Sequence, residues 1–136
     1  MTPAQIDLIQ TSFNAVSSKG SELVKSFYES LFADYPELRE MFPHDMEEQQ
    51  EKLLQTLAYA VNGLKHPEAL LPIVRNLGVS HKGFRVESEH YTYVAAALLG
   101  ALRTTLGPAF TRDVESAWVA CYVLLSREME TAAEAA

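Results

Sequence analysis

The chain has 136 residues, of which 48% are hydrophobic and 21% charged, and this composition predicts one folded domain spanning residues 1–136. Its formal net charge of -7 repels phosphate backbones, so we expect no nucleic-acid partner. The sequence has no apolar run of the ~18 residues that a membrane span requires, no signal-peptide pattern and a single cysteine, Cys121, so we expect a cytoplasmic protein with no membrane partner.

Hydrophobic residues recur with helical spacing along nearly the whole chain. The first helix is predicted over residues 3–16, because residues 2–5 combine a capping threonine, a proline at the first helical position and a capping-box glutamine. A polar break follows, in which Gly20 suits the end of a helix. A second helix is predicted from Ser21, with an apolar face that runs on until Pro36 halts it.

The middle of the chain alternates helices with proline and glycine breaks. A short turn of helix is predicted over residues 36–42 and a long helix over about residues 46–64. Pro67 can open the next helix, which Pro72 bends or delays. Gly78 is expected to interrupt this helix.

Two helices complete the prediction. Ser88 can cap a helix over residues 89–106, and Thr111 can cap the last helix, which runs through Met129. No segment shows the alternation and hairpin turns of strands. The predicted fold class is therefore all-α, with about six to eight helices of unequal length, which argues against a regular four-helix bundle.

Several short runs carry a family resemblance. They are Phe27-Tyr28-Glu29-Ser30-Leu31-Phe32, Tyr35-Pro36-Glu37, Met41-Phe42, Val79-Ser80-His81-Lys82, His90-Tyr91 and Ala117-Trp118. Together these runs resemble bacterial single-domain globins, the haem domains of flavohaemoglobins and Vitreoscilla-type haemoglobins, and the likeness covers essentially the whole chain. The resemblance implies a globin fold that sandwiches haem b, which would not be attached covalently because the chain has no CxxCH motif.

The resemblance assigns the proximal side of the haem. His81 resembles the ligand that bonds the iron through a neutral imidazole nitrogen, whereas an isolated histidine would usually be an ordinary core or surface residue. Tyr91 resembles its partner in a proximal network, and the alternative is a buried tyrosine bonded to the backbone. The family's glutamate in this network falls on Ala133 in an ungapped count from Trp118, and whether a nearby glutamate replaces it stays open.

The distal side resembles that of bacterial globins as well. Phe42 resembles the ring that stacks on the haem, although ordinary core packing would also bury it. Tyr28 and Gln49 resemble the pair of donors above the iron, and Leu53 resembles the apolar residue that crowds the gas. Gln49 lies four residues before Leu53, so both share a helical face, but the neighbouring polar residues also suit a solvated helix start.

The resemblance implies a haem protein that binds dioxygen, nitric oxide and carbon monoxide reversibly, with high oxygen affinity. Its expected chemistry is conversion of nitric oxide to nitrate, with Tyr28 and Gln49 as catalytic residues and a separate, unidentified reductase as electron donor. Oxygen storage or transport, or gas sensing, without turnover is the alternative. A globin-like protein that has lost haem is disfavoured by the joint presence of His81, Phe42 and Tyr28. The sequence allows either a monomer or a homodimer, because apolar faces on the last two helices suit both.

Overall fold

The computed structural model describes residues 1–83 and 88–135, with the side chains of all of them except 81–83 and 88. Within these ranges the chain forms six α-helices and no strand, so the predicted all-α fold is confirmed. The helices are α1 (Pro3–Val16), α2 (Gly20–Asp34), α3 (Glu47–Asn62), α4 (Pro67–Gly83), α5 (Ser88–Leu106) and α6 (Arg112–Ala135). Short 3-10 turns at Ser17–Lys19, Pro36–Met41 and Gly107–Ala109 join some of them.

The helix starts follow local side-chain chemistry. At α1 the Thr2 hydroxyl accepts from the Gln5 backbone N–H at 3.1 Å, and the Gln5 side chain accepts from the Thr2 N–H at 2.9 Å, so the predicted capping box is present. The Thr111 hydroxyl accepts from the Val114 N–H at 3.2 Å at the start of α6, as predicted.

Two glycine predictions are wrong, and both have the same physical reason. Gly78 does not interrupt a helix, because α4 continues through it to Gly83, and Gly20 begins α2 rather than ending a helix. At both positions a neighbouring atom lies within 3 Å of where a Cβ would stand: main chain at Gly78 and the movable end of a leucine side chain at Gly20. A Cβ on Gly78 would lie 2.1 Å from the backbone oxygen of Met129, and one on Gly20 would lie 2.6 Å from the Leu54 side chain. These glycines permit close packing between helices.

The core gathers apolar faces from most of the helices. Its largest fully buried side chains are Ile9, Val16, Leu23, Leu31 and Leu102. α4 packs most extensively on α6, whereas α3 packs on α2 and α1. In the parts of the chain that the structure describes, no helix is both long enough and apolar enough to cross a membrane.

One buried polar contact ties the first helix to the last. Trp118, which is 3% exposed, donates its indole N–H to the Ser12 hydroxyl at 2.9 Å. The Ser12 hydroxyl in turn donates to the Ile9 carbonyl at 3.0 Å. Both polar side chains are therefore satisfied inside the core, as buried polar groups need to be.

Candidate functional site

The centre of the candidate site is a hydrogen-bonded pair that joins α2 to α3. Gln49, in the first turns of α3, donates from Nε2 to the phenolic oxygen of Tyr28 at 3.2 Å. Tyr28 lies on the buried face of α2 and is only 5% exposed, whereas Gln49 is half-buried. The two residues that the sequence assigns to the distal side therefore touch in the structure.

The environment of Tyr28 keeps its hydroxyl protonated. Burial raises the pKa of Tyr28 above its ordinary value, while the bond from Gln49 acts weakly in the opposite direction. Because Gln49 supplies the proton of their shared bond, the Tyr28 O–H remains able to donate to a further acceptor. The pair is thus a preformed hydrogen-bond donor at neutral pH.

Aromatic rings surround Tyr28. Phe27 meets it edge-on with centroids 4.9 Å apart, Phe32 stacks at 5.8 Å, and Phe42 meets it edge-on at 5.6 Å. Phe32 and Phe42 also touch, at 5.3 Å. Phe42 follows the 3-10 turn at Pro36–Met41 in extended backbone and is only half-buried. The candidate haem-stacking ring thus lies in contact with Tyr28.

The apolar face of α3 is incompletely covered by protein. Val61 is the only buried residue of this helix, and Leu53, which follows Gln49 by one turn, is only half-buried. A mostly apolar cleft of about 310 Å³ lies between α3 and α4, lined by Thr56, Ala60, Ile73 and Leu77 among others. Helical spacing places Thr56 and Ala60 on the same face as Leu53, so the cleft continues that face.

His81, the candidate iron ligand, lies in α4 by its backbone, but its side chain is outside the described residues. Its placement near the carboxyl end of α4 puts it on a helix that borders the cleft, because Leu77 one turn earlier lines it. Of the predicted site residues, Gln49 and Phe42 each contact Tyr28. The contacts of the His81 side chain lie outside the described residues.

Tyr91 lies in the first turn of α5 and is half-buried. Its carbonyl accepts a hydrogen bond from the hydroxyl of Tyr122 on α6. Burial raises the pKa of both tyrosines, and the negative charge of Glu130 raises it further. Glu130 therefore lies near enough to Tyr91 to act on its charge, which the ungapped count to Ala133 did not reveal.

Sequence reasoning assigned no role to two residues of this region. The hydroxyl of Tyr122 joins α6 to the Tyr91 carbonyl on α5. Arg39 donates to main-chain carbonyls beside Phe42, and such acceptors leave no signal in the sequence.

The residues present fit a haem. A flat apolar group could cover the half-buried face of α3, which protein alone leaves open, since burying such surface is favourable. The cleft between α3 and α4 has the mostly apolar lining with few polar groups that is usual for a cofactor site. Tyr28 on α2, bonded to Gln49 of α3, supplies a buried donor, and His81 on α4 is of the residue type that ligates haem iron.

Comparison with known proteins gives a consistent family. A family model described as Globin matches residues 25–129. The flavohemoprotein of Deinococcus radiodurans is 34% identical over 126 residues, which cover 90% of this chain and 31% of that protein. The flavohemoprotein of Bordetella parapertussis is 30% identical over 144 residues, covering 100% of this chain and 36% of that protein. The chain thus spans about a third of the length of these curated relatives.

Solved structures show the same architecture. A bacterial globin from Campylobacter jejuni superimposes with a TM-score of 0.87 at 26% identity, covering 98% of this chain and 97% of that chain. A second structure is an engineered carbene transferase from Rhodothermus marinus, provisionally named as a nitric oxide dioxygenase. It superimposes with a TM-score of 0.89 at 27% identity. That alignment covers 99% of this chain and 94% of the other.

Proposed function

This chain belongs to the globin family, and on that premise we propose that it holds haem b between α3 and α4, binds dioxygen with high affinity and converts nitric oxide to nitrate. The observation that carries the proposal is the Gln49–Tyr28 hydrogen bond beside Phe42. It supplies a buried, protonated hydroxyl next to an aromatic ring and a half-buried apolar helix face.

Haem, when bound, supplies the iron that holds a diatomic gas and the electron that the reaction consumes. We assign the iron ligand to His81, the stacking ring to Phe42 and the apolar wall above the gas to Leu53. Tyr91 would lie on the proximal side, on α5. These assignments combine the placement of each residue in the fold with the family membership.

Tyr28 and Gln49 provide the part of the chemistry that belongs to this chain. The Tyr28 hydroxyl can donate to a gas molecule that carries negative charge, while Gln49 holds the phenolic oxygen in place. A hydrogen bond to a charged group contributes ~1.5–3 kcal/mol. At ~1.4 kcal/mol per tenfold, one such bond slows oxygen release by about ten- to a hundredfold.

Conversion of nitric oxide follows from a retained, oriented dioxygen. The balanced reaction joins dioxygen, nitric oxide and one electron into nitrate, so no proton has to be supplied. The role of Tyr28 and Gln49 is to hold dioxygen in one orientation while it reacts with nitric oxide. The electron would be restored by a separate reductase. The names of two similar proteins support this proposal. The Deinococcus radiodurans relative is a flavohemoprotein, and the Rhodothermus marinus protein is provisionally named a nitric oxide dioxygenase.

The test is rapid mixing of the haem-loaded, oxygen-saturated protein with nitric oxide, followed by measurement of nitrate. We expect one nitrate per haem in a single fast turnover, and repeated turnover when a reductase is added. Slow or substoichiometric nitrate formation would contradict the proposed chemistry. It would favour oxygen storage, because storage requires the same pocket but no reaction with nitric oxide.

A further inference from the structure

The guanidinium of Arg39 donates hydrogen bonds to three consecutive main-chain carbonyls. Nη1 donates to the carbonyl of Phe42 at 3.4 Å and to that of Pro43 at 2.7 Å, and Nη2 donates to that of His44 at 2.7 Å. Phe42 also donates its backbone N–H to the Arg39 carbonyl at 3.2 Å. The segment that carries Phe42 is therefore curled about a single guanidinium group.

The guanidinium of Arg39 also lies over the ring of Phe32, with its carbon 5.4 Å from the ring centroid. Phe32 in turn touches both Phe42 and Tyr28. One side chain thus contacts the backbone of the segment that carries Phe42 and the ring on which Phe42 and Tyr28 rest. A shift of the Arg39 side chain would change its bonds to the main chain of residues 42–44 and its contact with the Phe32 ring at once.

The same segment leads into the helix that carries Gln49. Asp45 accepts from the Glu47 backbone N–H at 3.0 Å, and α3 begins at Glu47. Only a few residues separate the last carbonyl that Arg39 holds, at His44, from this start. Fixing residues 42–44 therefore also fixes where α3 begins.

The bonding pattern requires arginine rather than any cation. Among the described residues, no carboxylate forms an ion pair with Arg39. Its charge is therefore matched by carbonyl dipoles and a ring. A guanidinium presents several donors in a rigid plane and stacks on an aromatic ring, whereas a lysine ammonium is a single flexible point. Lysine could replace some of these contacts but not all of them.

We propose that Arg39 is a positioning residue, which holds Phe42 and the amino end of α3 in the arrangement that retains haem and orients the Tyr28–Gln49 pair. This inference rests on the proposed haem site. It adds a residue to which we assign no contact with haem or gas and which acts through the main chain of residues 42–44 and the ring of Phe32.

The test compares Arg39→Gln, Arg39→Lys and the control Arg103→Gln. Arg103 makes a similar pair of contacts elsewhere, over the Phe110 ring at 5.5 Å and with the Glu115 carboxylate at 3.3 Å. Haem loss is measured from the Soret absorbance as haem passes to an excess of an apoprotein acceptor. We expect Arg39→Gln to lose haem about tenfold faster, equivalent to ~1.4 kcal/mol, Arg39→Lys to lie between, and Arg103→Gln to match the wild type.

A second readout uses the haem-free protein. Amide hydrogen exchange of Phe42 and of residues 44–47 should speed up in Arg39→Gln and stay unchanged in Arg103→Gln. If wild-type protein takes up no haem, the proposed function fails, and the exchange data alone then decide whether Arg39 holds the segment. A different outcome is that wild-type protein binds haem, and that the haem-loss rate and the amide-exchange rates of Arg39→Gln both equal those of wild type. In that case the positioning role is wrong while the proposed function stands.

Discussion

The side-chain amide of Gln49 donates to the phenolic oxygen of Tyr28 at 3.2 Å, and this bond joins the second helix of the fold to the third. Because Tyr28 is the acceptor, its own proton remains for another acceptor. Burial, which raises the pKa of Tyr28, keeps that proton in place. The bond from Gln49 thus orients the Tyr28 hydroxyl, which remains the donor.

Replacing Tyr28 with phenylalanine should speed oxygen release from the haem-loaded protein. The substitution removes the donor but keeps the ring among Phe27, Phe32 and Phe42. Loss of a hydrogen bond worth ~1.5–3 kcal/mol predicts a rise in the dissociation rate of about ten- to a hundredfold. Stopped-flow displacement of oxygen by carbon monoxide measures this rate.

Tyr35→Phe is the matched control, because Tyr35 stacks on Tyr93 with centroids 3.8 Å apart. In the described part of the chain, its side chain makes no hydrogen bond or ring contact with Tyr28 or Gln49. It should leave the oxygen dissociation rate unchanged. Equal rates in wild type and Tyr28→Phe would show that the tyrosine does not hold the gas.

Gly78→Ala should destabilise the protein, because the added Cβ would lie 2.1 Å from the Met129 backbone oxygen and force α4 away from α6. Such overpacking costs ~1–3 kcal/mol. Gly100→Ala is the control: nothing lies within 4 Å of its Cβ position, and alanine in a helix interior stabilises by ~0.5–1 kcal/mol. Urea unfolding followed by circular dichroism measures both. A Gly78→Ala protein as stable as wild type would contradict the close packing of the two helices.

Ser12→Ala should reduce the free energy of unfolding by ~1–3 kcal/mol, because it leaves the buried indole N–H of Trp118 without its acceptor. The substitution should not change oxygen release, since the hydrogen bonds of Ser12 are to Trp118 and Ile9 and not to Tyr28 or Gln49. Trp118 is the only tryptophan in the sequence, so its fluorescence reports the change directly. An unchanged unfolding free energy would mean that another group satisfies the indole.

Glu130→Gln should lower the pKa of Tyr91 and of Tyr122, because the Glu130 charge raises both. Burial is the larger cause, so both values should stay above the ordinary tyrosine pKa. A tyrosine whose pKa is raised by folding contributes stability below its unfolded pKa of ~10, and that stability is lost as pH rises further. The variant should therefore lose less stability above pH ~10 than wild type.

Carbon-labelled tyrosine NMR follows these titrations, and Glu134→Gln is the control. Glu134 is not among the charges that raise the pKa of Tyr91 or Tyr122. Equal titration curves in Glu130→Gln and Glu134→Gln would show that no specific carboxylate acts on these tyrosines.

Helix positions could be predicted well because hydrophobic period and caps are local signals. The first helix, its capping box and the Thr111 cap are confirmed. Gly78 could not be placed correctly, because its role depends on the approach of Met129, some fifty residues away along the chain. Local patterns carry no information about such contacts.

The roles of the site residues stay predictions, but some of their placement could be read from the sequence. The spacing of Gln49 and Leu53 indicated one helical face, and both residues lie in α3, where Gln49 contacts Tyr28. The carboxylate near Tyr91 could not be chosen from spacing alone, because Glu130, Ala133 and Glu134 share a helical face. The assignment of His81 as iron ligand stays a prediction.

The most direct measurement is haem titration of the purified protein, read from the Soret band and from the ferrous carbonmonoxy spectrum. Wild type, His81→Ala and the control His90→Ala are compared. The account predicts one haem per chain in wild type and His90→Ala, and loss of the normal axial-imidazole spectrum in His81→Ala. No Soret band in wild type, or an unchanged spectrum in His81→Ala, would contradict it.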